Sequence, residues 1–200
     1  MPDVDDDVSF PEELVERFLA EFTSPGDLVF DPFAGFGTTL VVAEQMGRRV
    51  LGIELLLERV ELIKHRLRNP GTIVQWDALN LADLPLPAID FVMTSPPYMT
   101  RAGHPQNPLS AYQTLDGDYR RYLRELCTVF ETIAASMKVG GRAVINVANI
   151  CTDGIITPLA ADVAAGLSSV LILEQEVLIV SDTADPTIVE NKCYVFRNSG

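Results

Sequence analysis

The segment GDLVFDPFAGFGTT, residues Gly26 to Thr39, carries the clearest structural signal in this chain. Its first half is an apolar run of strand length, and its second half is a glycine-rich turn that opens a helical segment stopped by Gly47. Gly35 and Gly37 let the backbone approach a ligand closely, and the free amides at the start of the helix favour an anion. The pattern therefore predicts a strand, a ligand-binding turn and a helix in succession.

Strand-length and helix-length segments alternate along the rest of the chain. Further strands are predicted at RRVLGIEL, TIVQWDAL, AIDFVMTS and GRAVINVAN, with a final pair at SVLILEQEVLIV and NKCYVFRN. Further helices are predicted up to Leu67, over Asp118 to Lys138, where KVGG ends the helix, and over Pro158 to Gly166. Continuous β-branched runs between helices imply parallel strands covered on both faces. We therefore predict a doubly wound α/β domain with a mostly parallel sheet and a final antiparallel strand pair.

The composition indicates one soluble domain. The 200 residues are 48% hydrophobic, which is enough to bury a single core. No apolar run approaches the roughly 18 residues of a membrane span, and the acidic head, residues 1–8, is unlike a secretory signal. We therefore expect a cytoplasmic protein with no membrane partner. Cys127, Cys151 and Cys193 are too widely spaced for a metal site, so we expect neither a metal nor disulfides.

The charge is unevenly distributed. A net charge of −13 argues at first against a polyanionic partner, but residues 1–21 carry eight carboxylates against Arg17 alone. Residues 98–124, by contrast, hold four arginines, two aspartates and four tyrosines. Such a stretch is typical either of a surface on which bases stack or of a solvated helix start with tyrosines packed beneath it.

The residues after each predicted strand form the candidate site, because ligands of doubly wound sheets sit outside the carboxyl ends of the strands. Glu54 follows the second strand about 20 positions after the glycine turn, where an acidic residue commonly binds ribose hydroxyls. No lysine lies between Gly26 and Ala43, so a nucleoside without phosphates fits better than a phosphate ligand. Asp77, after the third strand, is placed either to accept from an exocyclic amine or to cap a helical turn.

The fourth predicted strand is followed by SPPY, Ser95 to Tyr98. Two consecutive prolines cannot donate to a sheet ladder, and each fixes its own φ. The segment is therefore either a plain strand terminator or a rigid bracket. As a bracket it would present the Ser95 hydroxyl, the Pro96 carbonyl and the Tyr98 ring to a cleft.

Together these segments resemble the amino-methylating DNA methyltransferases, which use S-adenosyl-L-methionine to modify N4 of cytosine or N6 of adenine. DPFAGFGTT resembles the family's methionine-binding motif and TSPPY its catalytic motif. FPEELVERFLAEFTSPGDLVFDPF resembles the helix that precedes the glycine loop, and MKVGGRAVI the helix-to-strand passage of methyltransferases generally. The resemblance covers about residues 9–149 and implies a single Rossmann-like methyltransferase domain over residues 1–200, with S-adenosyl-L-methionine as cofactor.

The resemblance also implies a role for residues that match the family's motifs. The implied cofactor-binding residues are Phe10, Pro11, Asp31, Phe33, Ala34, Gly35, Gly37, Thr38, Glu54, Asp77 and Ala78. The implied catalytic residues are Ser95, Pro96, Pro97 and Tyr98, and the substrate-binding residues are Arg101, Tyr112 and Arg120. Among them, Glu54 is expected at the ribose and Asp77 at the adenine amine.

By the same resemblance, the target amine donates to the Ser95 hydroxyl and the Pro96 carbonyl, while Tyr98 stacks on a base that has left its duplex. Serine at the first motif position is typical of cytosine N4 methylation, whereas Asp or Asn is commoner for adenine N6. We therefore predict a cytosine-N4-specific DNA methyltransferase, with adenine N6 as the second choice. None of the three cysteines follows a proline, which excludes methylation at a ring carbon.

Other interpretations stay open. The same chemistry on RNA or on a protein glutamine amide is one, and a non-catalytic cofactor-binding subunit is another. DNA is the expected partner, in the setting of restriction-modification. The chain has no room for a separate target-recognition domain, so recognition is expected from the loop at about residues 98–118, a second copy of the chain or a recognition subunit.

Overall fold

The computed structural model describes residues 11–100, 105–180 and 187–200. The helices in these ranges are α1 (Glu12–Phe22), α2 (Thr38–Gln45), α3 (Leu57–Arg66), α4 (Tyr119–Ser136) and α5 (Leu159–Leu167). The strands are β1 (Leu28–Asp31), β2 (Arg49–Glu54), β3 (Ile73–Gln75), β4 (Ile89–Thr94), β5 (Met137–Thr152), β6 (Ile155–Thr157), β7 (Ile172–Ile179) and β8 (Ile188–Arg197). Short 3₁₀ helices lie at Pro70–Thr72, Ala78–Asp83 and Pro108–Ser110. None of the described helices combines the length and the apolarity that a bilayer span requires.

The strands form one sheet in the order β3-β2-β1-β4-β5-β8-β7, and β6 pairs with β5 outside this row. The strands from β3 to β5 are parallel, and β8 runs antiparallel to both β5 and β7. This arrangement confirms the predicted doubly wound, mostly parallel sheet with an antiparallel end. The strand order switches between β1 and β4, so the crevice at the carboxyl ends of these two strands is the place where such sheets bind ligands.

Each face of the sheet carries its own hydrophobic core. Along β1, Leu28 and Phe30 pack into the core beneath α4 and α5, while Val29 packs into the core beneath α1, α2 and α3. Along β5, Ile145 packs into the core beneath α4 and α5, and Val144 packs into the core beneath α1, α2 and α3. Successive side chains of a strand point to opposite faces, so helices on both faces require continuous apolar strands. This is the pattern that the sequence shows.

Irregular pairing with β5 interrupts this alternation in β4. Phe91 and Met93 pack with the core of α1 to α3, whereas Ile89 and Val92 pack with the other core. The pairing of β4 with β5 shifts register between Ile89 and Phe91. Ile89 pairs with Met137 and Phe91 with Arg142, so β5 advances five residues while β4 advances two. At this irregular step the regular alternation of faces is lost, and Ile89 and Val92 share a face although they are three residues apart.

Helix α4 begins where the sequence predicts and ends earlier. The Asp118 side chain caps it by accepting a hydrogen bond from the Arg121 amide at 2.6 Å. The backbone turns extended at Met137, which pairs with Ile89. The predicted end at Lys138 is therefore two residues too late, and KVGG, which was expected to stop the helix, already belongs to β5. Strand β6 was not predicted.

Candidate active site

The carboxyl ends of β1, β2 and β4 open into one cavity of about 220 Å³, room for an organic molecule rather than for a single ion. Its wall consists of residues 32–36 of the glycine loop, residues that follow β2 and β3, the corner Ser95 to Tyr98, and the loop around Leu109. The predicted cofactor loop and the predicted catalytic bracket therefore face the same cavity.

The two glycines of the loop have different surroundings. Gly35 lines the cavity with φ 54°, and its amide donates to the Glu54 carboxylate at 2.9 Å. Gly37 caps α2 with φ 81°, and a Cβ there would lie 2.9 Å from Cγ1 of Ile63 in α3. Gly37 does not line the cavity. A glycine is needed at this position because the backbone is left-handed and α3 packs closely against it. A direct role for Gly37 in binding a cofactor stays a prediction.

Asp31 is a buried carboxylate at the floor of the cavity, with 3% of its surface exposed. It accepts hydrogen bonds from the Thr94 hydroxyl at 2.6 Å and from the Phe33 amide at 3.1 Å. Burial outweighs these bonds and raises the pKa of Asp31 to about 6. The buried Thr39 hydroxyl nearby also lowers this pKa, yet it has no hydrogen-bond partner of normal geometry in the described residues. This end of the cavity therefore offers negative charge and an unpaired hydroxyl.

Glu54 joins the end of β2 to the glycine loop. It is 8% exposed, and its two oxygens accept separately from the Gly35 and Leu56 amides, each at 2.9 Å. Each carboxylate oxygen can accept a second hydrogen bond. Glu54 therefore shapes the cavity and keeps acceptor capacity for a ligand hydroxyl.

Trp76 is a cavity residue that the sequence analysis missed. It lines the wall beside Leu55, Leu56 and Ala78, and its indole nitrogen donates to the Asn80 carbonyl at 2.9 Å. These side chains make an apolar wall next to Glu54. The sequence did offer a signal for this role, because Trp76 directly follows a predicted strand of a doubly wound fold, where ligands bind.

Asp77 caps a helical turn, which is the more ordinary of the two roles left open for it. Its carboxylate accepts from the Leu79 amide at 2.9 Å and from the Asn80 side chain at 3.3 Å, at the start of the 3₁₀ helix Ala78–Asp83. It borders a separate shallow depression beside Trp76 rather than the main cavity. Binding of an adenine amine by Asp77 stays a prediction.

The corner Ser95 to Tyr98 leaves β4 at the cavity. The Ser95 hydroxyl lies 3.4 Å from the Tyr98 hydroxyl, toward which it donates. Tyr98 is half-buried, and its ring lines the cavity. Burial of its hydroxyl end raises the pKa of Tyr98 to about 12, so the phenol stays protonated at neutral pH. The ring is thus anchored at one end and available for a contact in the cavity.

The remaining predicted residues fall into three groups. Those that line the cavity are Phe33, Ala34, Thr38, Ala78, Pro96, Pro97 and Tyr112. Pro11 and Arg120 are exposed outside it, on the approach to α1 and in the first turn of α4. Phe10, Arg101, the acidic head and part of the predicted loop lie outside the described residues.

Two further cavity residues come from the start of α3 and the glycine loop. The guanidinium of Arg59 lies over the ring of Phe36, 4.9 Å from its centroid, and both side chains line the cavity. Such a contact is a cation–π interaction. Nothing in the sequence pattern separates Arg59 from the solvated charges of α3.

Residues 7–65 match a protein-family model described as DNA methylase, of the N6/N4 methyltransferase type. The chain is 46% identical over 57 residues to Type II methyltransferase M2.DpnII of Streptococcus pneumoniae, covering 28% of this chain and 21% of that protein. It is 44% identical over 72 residues to DNA adenine methyltransferase YhdJ of Escherichia coli (strain K12), covering 36% and 24%. The matched segment thus spans about a fifth to a quarter of the length of these relatives.

Solved structures match nearly the whole chain at low identity. TrmN from Thermus thermophilus has a TM-score of 0.68 at 18% identity, covering 94% of this chain and 49% of that chain. N-methyltransferase NodS from Bradyrhizobium japonicum, in complex with S-adenosyl-L-homocysteine, has a TM-score of 0.64 at 13% identity, covering 94% and 86%. An S-adenosylmethionine-dependent methyltransferase from Clostridium acetobutylicum also has a TM-score of 0.64 at 13% identity, and the match covers 97% of this chain and 94% of that chain.

These likenesses establish the class of fold. The chain has the Rossmann-like fold of S-adenosylmethionine-dependent methyltransferases. The family match confirms the resemblance to amino-methylating DNA methyltransferases that the motifs predict. It does not distinguish a cytosine enzyme from an adenine enzyme.

Proposed function

We propose that this chain transfers a methyl group from S-adenosyl-L-methionine to an exocyclic amine of a DNA base, N4 of cytosine in the first place. One observation carries the proposal: a single cavity is lined both by the glycine loop with Glu54 and Trp76 and by the corner Ser95 to Tyr98. A cofactor and a flat amine held on these two sides would share one enclosed space, as group transfer requires.

The residues of the cavity fit the cofactor. Asp31 and the unpaired Thr39 hydroxyl suit a cationic, hydrogen-bonding group such as an amino acid ammonium. Glu54 has acceptor capacity for ribose hydroxyls, and Trp76 offers a flat surface to a purine. When bound, S-adenosyl-L-methionine supplies an electrophilic methyl group on a sulfonium.

The corner provides what an amine substrate needs. The Ser95 hydroxyl directs its hydrogen toward Tyr98, which leaves oxygen lone pairs to accept from the amine. The Pro96 carbonyl is a second acceptor, and the Tyr98 ring can stack on the base. Two acceptors on one amine draw its lone pair out of ring conjugation, so a strong general base is not needed.

Cytosine is preferred because the corner begins with Ser95, the residue typical of cytosine N4 enzymes in the family that the chain resembles. Adenine N6 is the second candidate, favoured by the similarity to a protein named as a DNA adenine methyltransferase. RNA is the third, since a structural neighbour is an rRNA methylase from Streptococcus thermophilus, at a TM-score of 0.62.

The test is methyl transfer from labelled S-adenosyl-L-methionine to separate pools of DNA, RNA and protein. Digestion of the DNA and mass spectrometry of its nucleosides would separate N4-methylcytosine from N6-methyladenine. We expect N4-methylcytosine with the native chain and none with Ser95→Ala. N6-methyladenine would replace the cytosine assignment, and label in RNA or protein alone would replace DNA. Cofactor binding without transfer to any pool would favour a non-catalytic subunit.

Sequence recognition is proposed to involve more than this cavity. The loop that contains Tyr112 reaches the cavity wall, while Arg120 lies exposed at the start of α4, where a duplex phosphate could contact it. A second copy or a recognition subunit would supply the remaining contacts. Light scattering of the chain alone and with a DNA duplex would decide between a monomer and a dimer.

A further inference from the structure

The backbone of the corner has few hydrogen-bond partners of its own. Pairing of β4 with β5 ends at Thr94, opposite Ile145. Pro96 and Pro97 have no amide hydrogen, so the sheet ladder cannot continue through them. The corner carbonyls must therefore find donors elsewhere if the corner is to keep one shape.

Two tyrosine hydroxyls supply those donors. The Tyr122 hydroxyl donates to the Pro97 carbonyl at 2.9 Å, and the Tyr112 hydroxyl donates to the Tyr98 carbonyl at 3.2 Å. In the part of the chain that the structure describes, no protein donor reaches the Pro96 carbonyl. The two carbonyls that follow Pro96 are therefore held by protein, while that of Pro96 is left to accept from a ligand.

The Tyr122 side chain is fixed in position by burial and packing. It is 1% exposed within α4, and its ring stacks on that of Tyr119 at 6.3 Å between centroids. Burial raises the pKa of Tyr122 well above its ordinary value, so the hydroxyl stays a donor over the whole working range of pH. The position of α4 thereby determines the position of the Pro97 carbonyl.

Tyr112 is mounted on a strained loop. Ala111 and Tyr112 both have left-handed backbones, with φ of 51° and 61°. Non-glycine residues adopt this conformation only when their surroundings hold them there. The Asn107 carbonyl does so by accepting from the Tyr112 amide at 2.9 Å, and the Asn107 side chain caps the short helix Pro108–Ser110.

We propose that Tyr122 and Tyr112 are positioning residues, whose hydroxyls fix the corner backbone so that the Ser95 hydroxyl and the Pro96 carbonyl stay aimed at the substrate amine. This rests on the proposed methyl transfer. The hydroxyls themselves act on the backbone and need not touch substrate or cofactor.

The test compares Tyr122→Phe and Tyr112→Phe with Tyr119→Phe as the matched control. Tyr119 lies in the same helix, and its hydroxyl donates to Asp162 on α5 at 2.8 Å rather than to a carbonyl of the corner. We expect Tyr122→Phe to lower kcat about 10-fold or more, and Tyr112→Phe by a smaller factor because its bond is longer. The cofactor Kd should stay within about twofold of native, and Tyr119→Phe should keep native kcat.

Hydrogen exchange of the amides of residues 98–100 gives a readout that does not depend on catalysis. We expect faster exchange there in Tyr122→Phe and native exchange in Tyr119→Phe. Native kcat together with native exchange in both corner variants would overturn the positioning role. If Tyr122→Phe fails to fold, Tyr112→Phe decides the matter alone. If the native chain methylates nothing, the proposed function fails, and the exchange data still test whether the hydroxyls hold the corner.

Discussion

The Thr94 hydroxyl donates a hydrogen bond to the Asp31 carboxylate at 2.6 Å, and both side chains are buried. Thr94 is the last residue of β4 and Asp31 the last of β1, the two strands that flank the switch in strand order. One buried bond thus connects the strand that carries the glycine loop to the strand that carries the corner Ser95 to Tyr98. Loss of this bond should therefore disturb both the glycine loop and the corner.

Replacing Thr94 by valine should lower the free energy of unfolding by about 1–3 kcal/mol at pH 7, because a buried carboxylate loses a donor while the volume is kept. The measurement is urea unfolding. Thr132→Val is the control, since it removes a hydroxyl whose hydrogen bond among the described residues goes to the Thr128 carbonyl within α4. An equal decrease in the free energy of unfolding in the two variants would mean that the bond to Asp31 stabilises the protein no more than an ordinary helix hydroxyl does.

The raised pKa of Asp31 makes stability depend on pH. The folded pKa is about 6 and the ordinary value is 3.8, so the folded state holds the proton more tightly. The stability this confers is complete below about pH 4 and is lost as pH rises through 6. A shift of about two pKa units amounts to roughly 3 kcal/mol.

Asp31→Asn keeps an acceptor for Thr94 and Phe33 but cannot titrate. We expect the free energy of unfolding of the native chain, relative to Asp31→Asn, to fall by roughly 2–3 kcal/mol between pH 4 and pH 7. Chemical denaturation of both proteins across this range measures the difference. A constant difference would show that Asp31 ionises at its ordinary pKa.

Gly37→Ala should destabilise the protein by about 2–4 kcal/mol. The new methyl would press on Ile63 at 2.9 Å, and the left-handed backbone adds strain. Gly140→Ala is the matched control, because Gly140 has φ 83° and no atom within 4 Å of an added Cβ. The control should therefore lose only the strain, about 1–2 kcal/mol. Similar losses measured by thermal unfolding would mean that α3 moves aside for the methyl.

Trp76 should report cofactor binding. It is the single tryptophan of the chain, and it lines the cavity beside Leu55 and Ala78. We expect S-adenosyl-L-homocysteine to change its fluorescence, and Trp76→Ala to weaken binding by about 1–3 kcal/mol through loss of a stacked purine. Trp76→Phe should bind nearly as well as the native chain, with no such signal. Calorimetric binding with unchanged fluorescence would place the purine elsewhere.

The order of elements was predictable because each strand is a continuous apolar run between turn residues. The pairing of β8 between β5 and β7 was not, since it depends on contacts between distant segments. Strand β6 did carry a local signal that was overlooked. Asp153 and Gly154, with φ of 52° and 75°, form the Asp-Gly turn that typically joins two hairpin strands.

In the candidate site, too, some features follow from local sequence and others depend on distant contacts. The motifs predict that the glycine loop, Glu54 and the corner meet, because all follow parallel strands of one sheet. They do not predict what Tyr122 does, since helical periodicity marks it only as an apolar position. Its hydroxyl finds the Pro97 carbonyl 25 positions away in the chain. A contact of this kind depends on how α4 packs, which no local pattern records.

The insertion of β8 between β5 and β7 bears on synthesis at the ribosome. Residues 172–179 leave the exit tunnel before the strand that joins them to the sheet, so β7 emerges with no partner in place. Until residues 188–197 follow, the long edge of β5 stays open to other nascent chains and to chaperones. The growing polypeptide is therefore most prone to aggregate in the interval before residues 188–197 leave the tunnel.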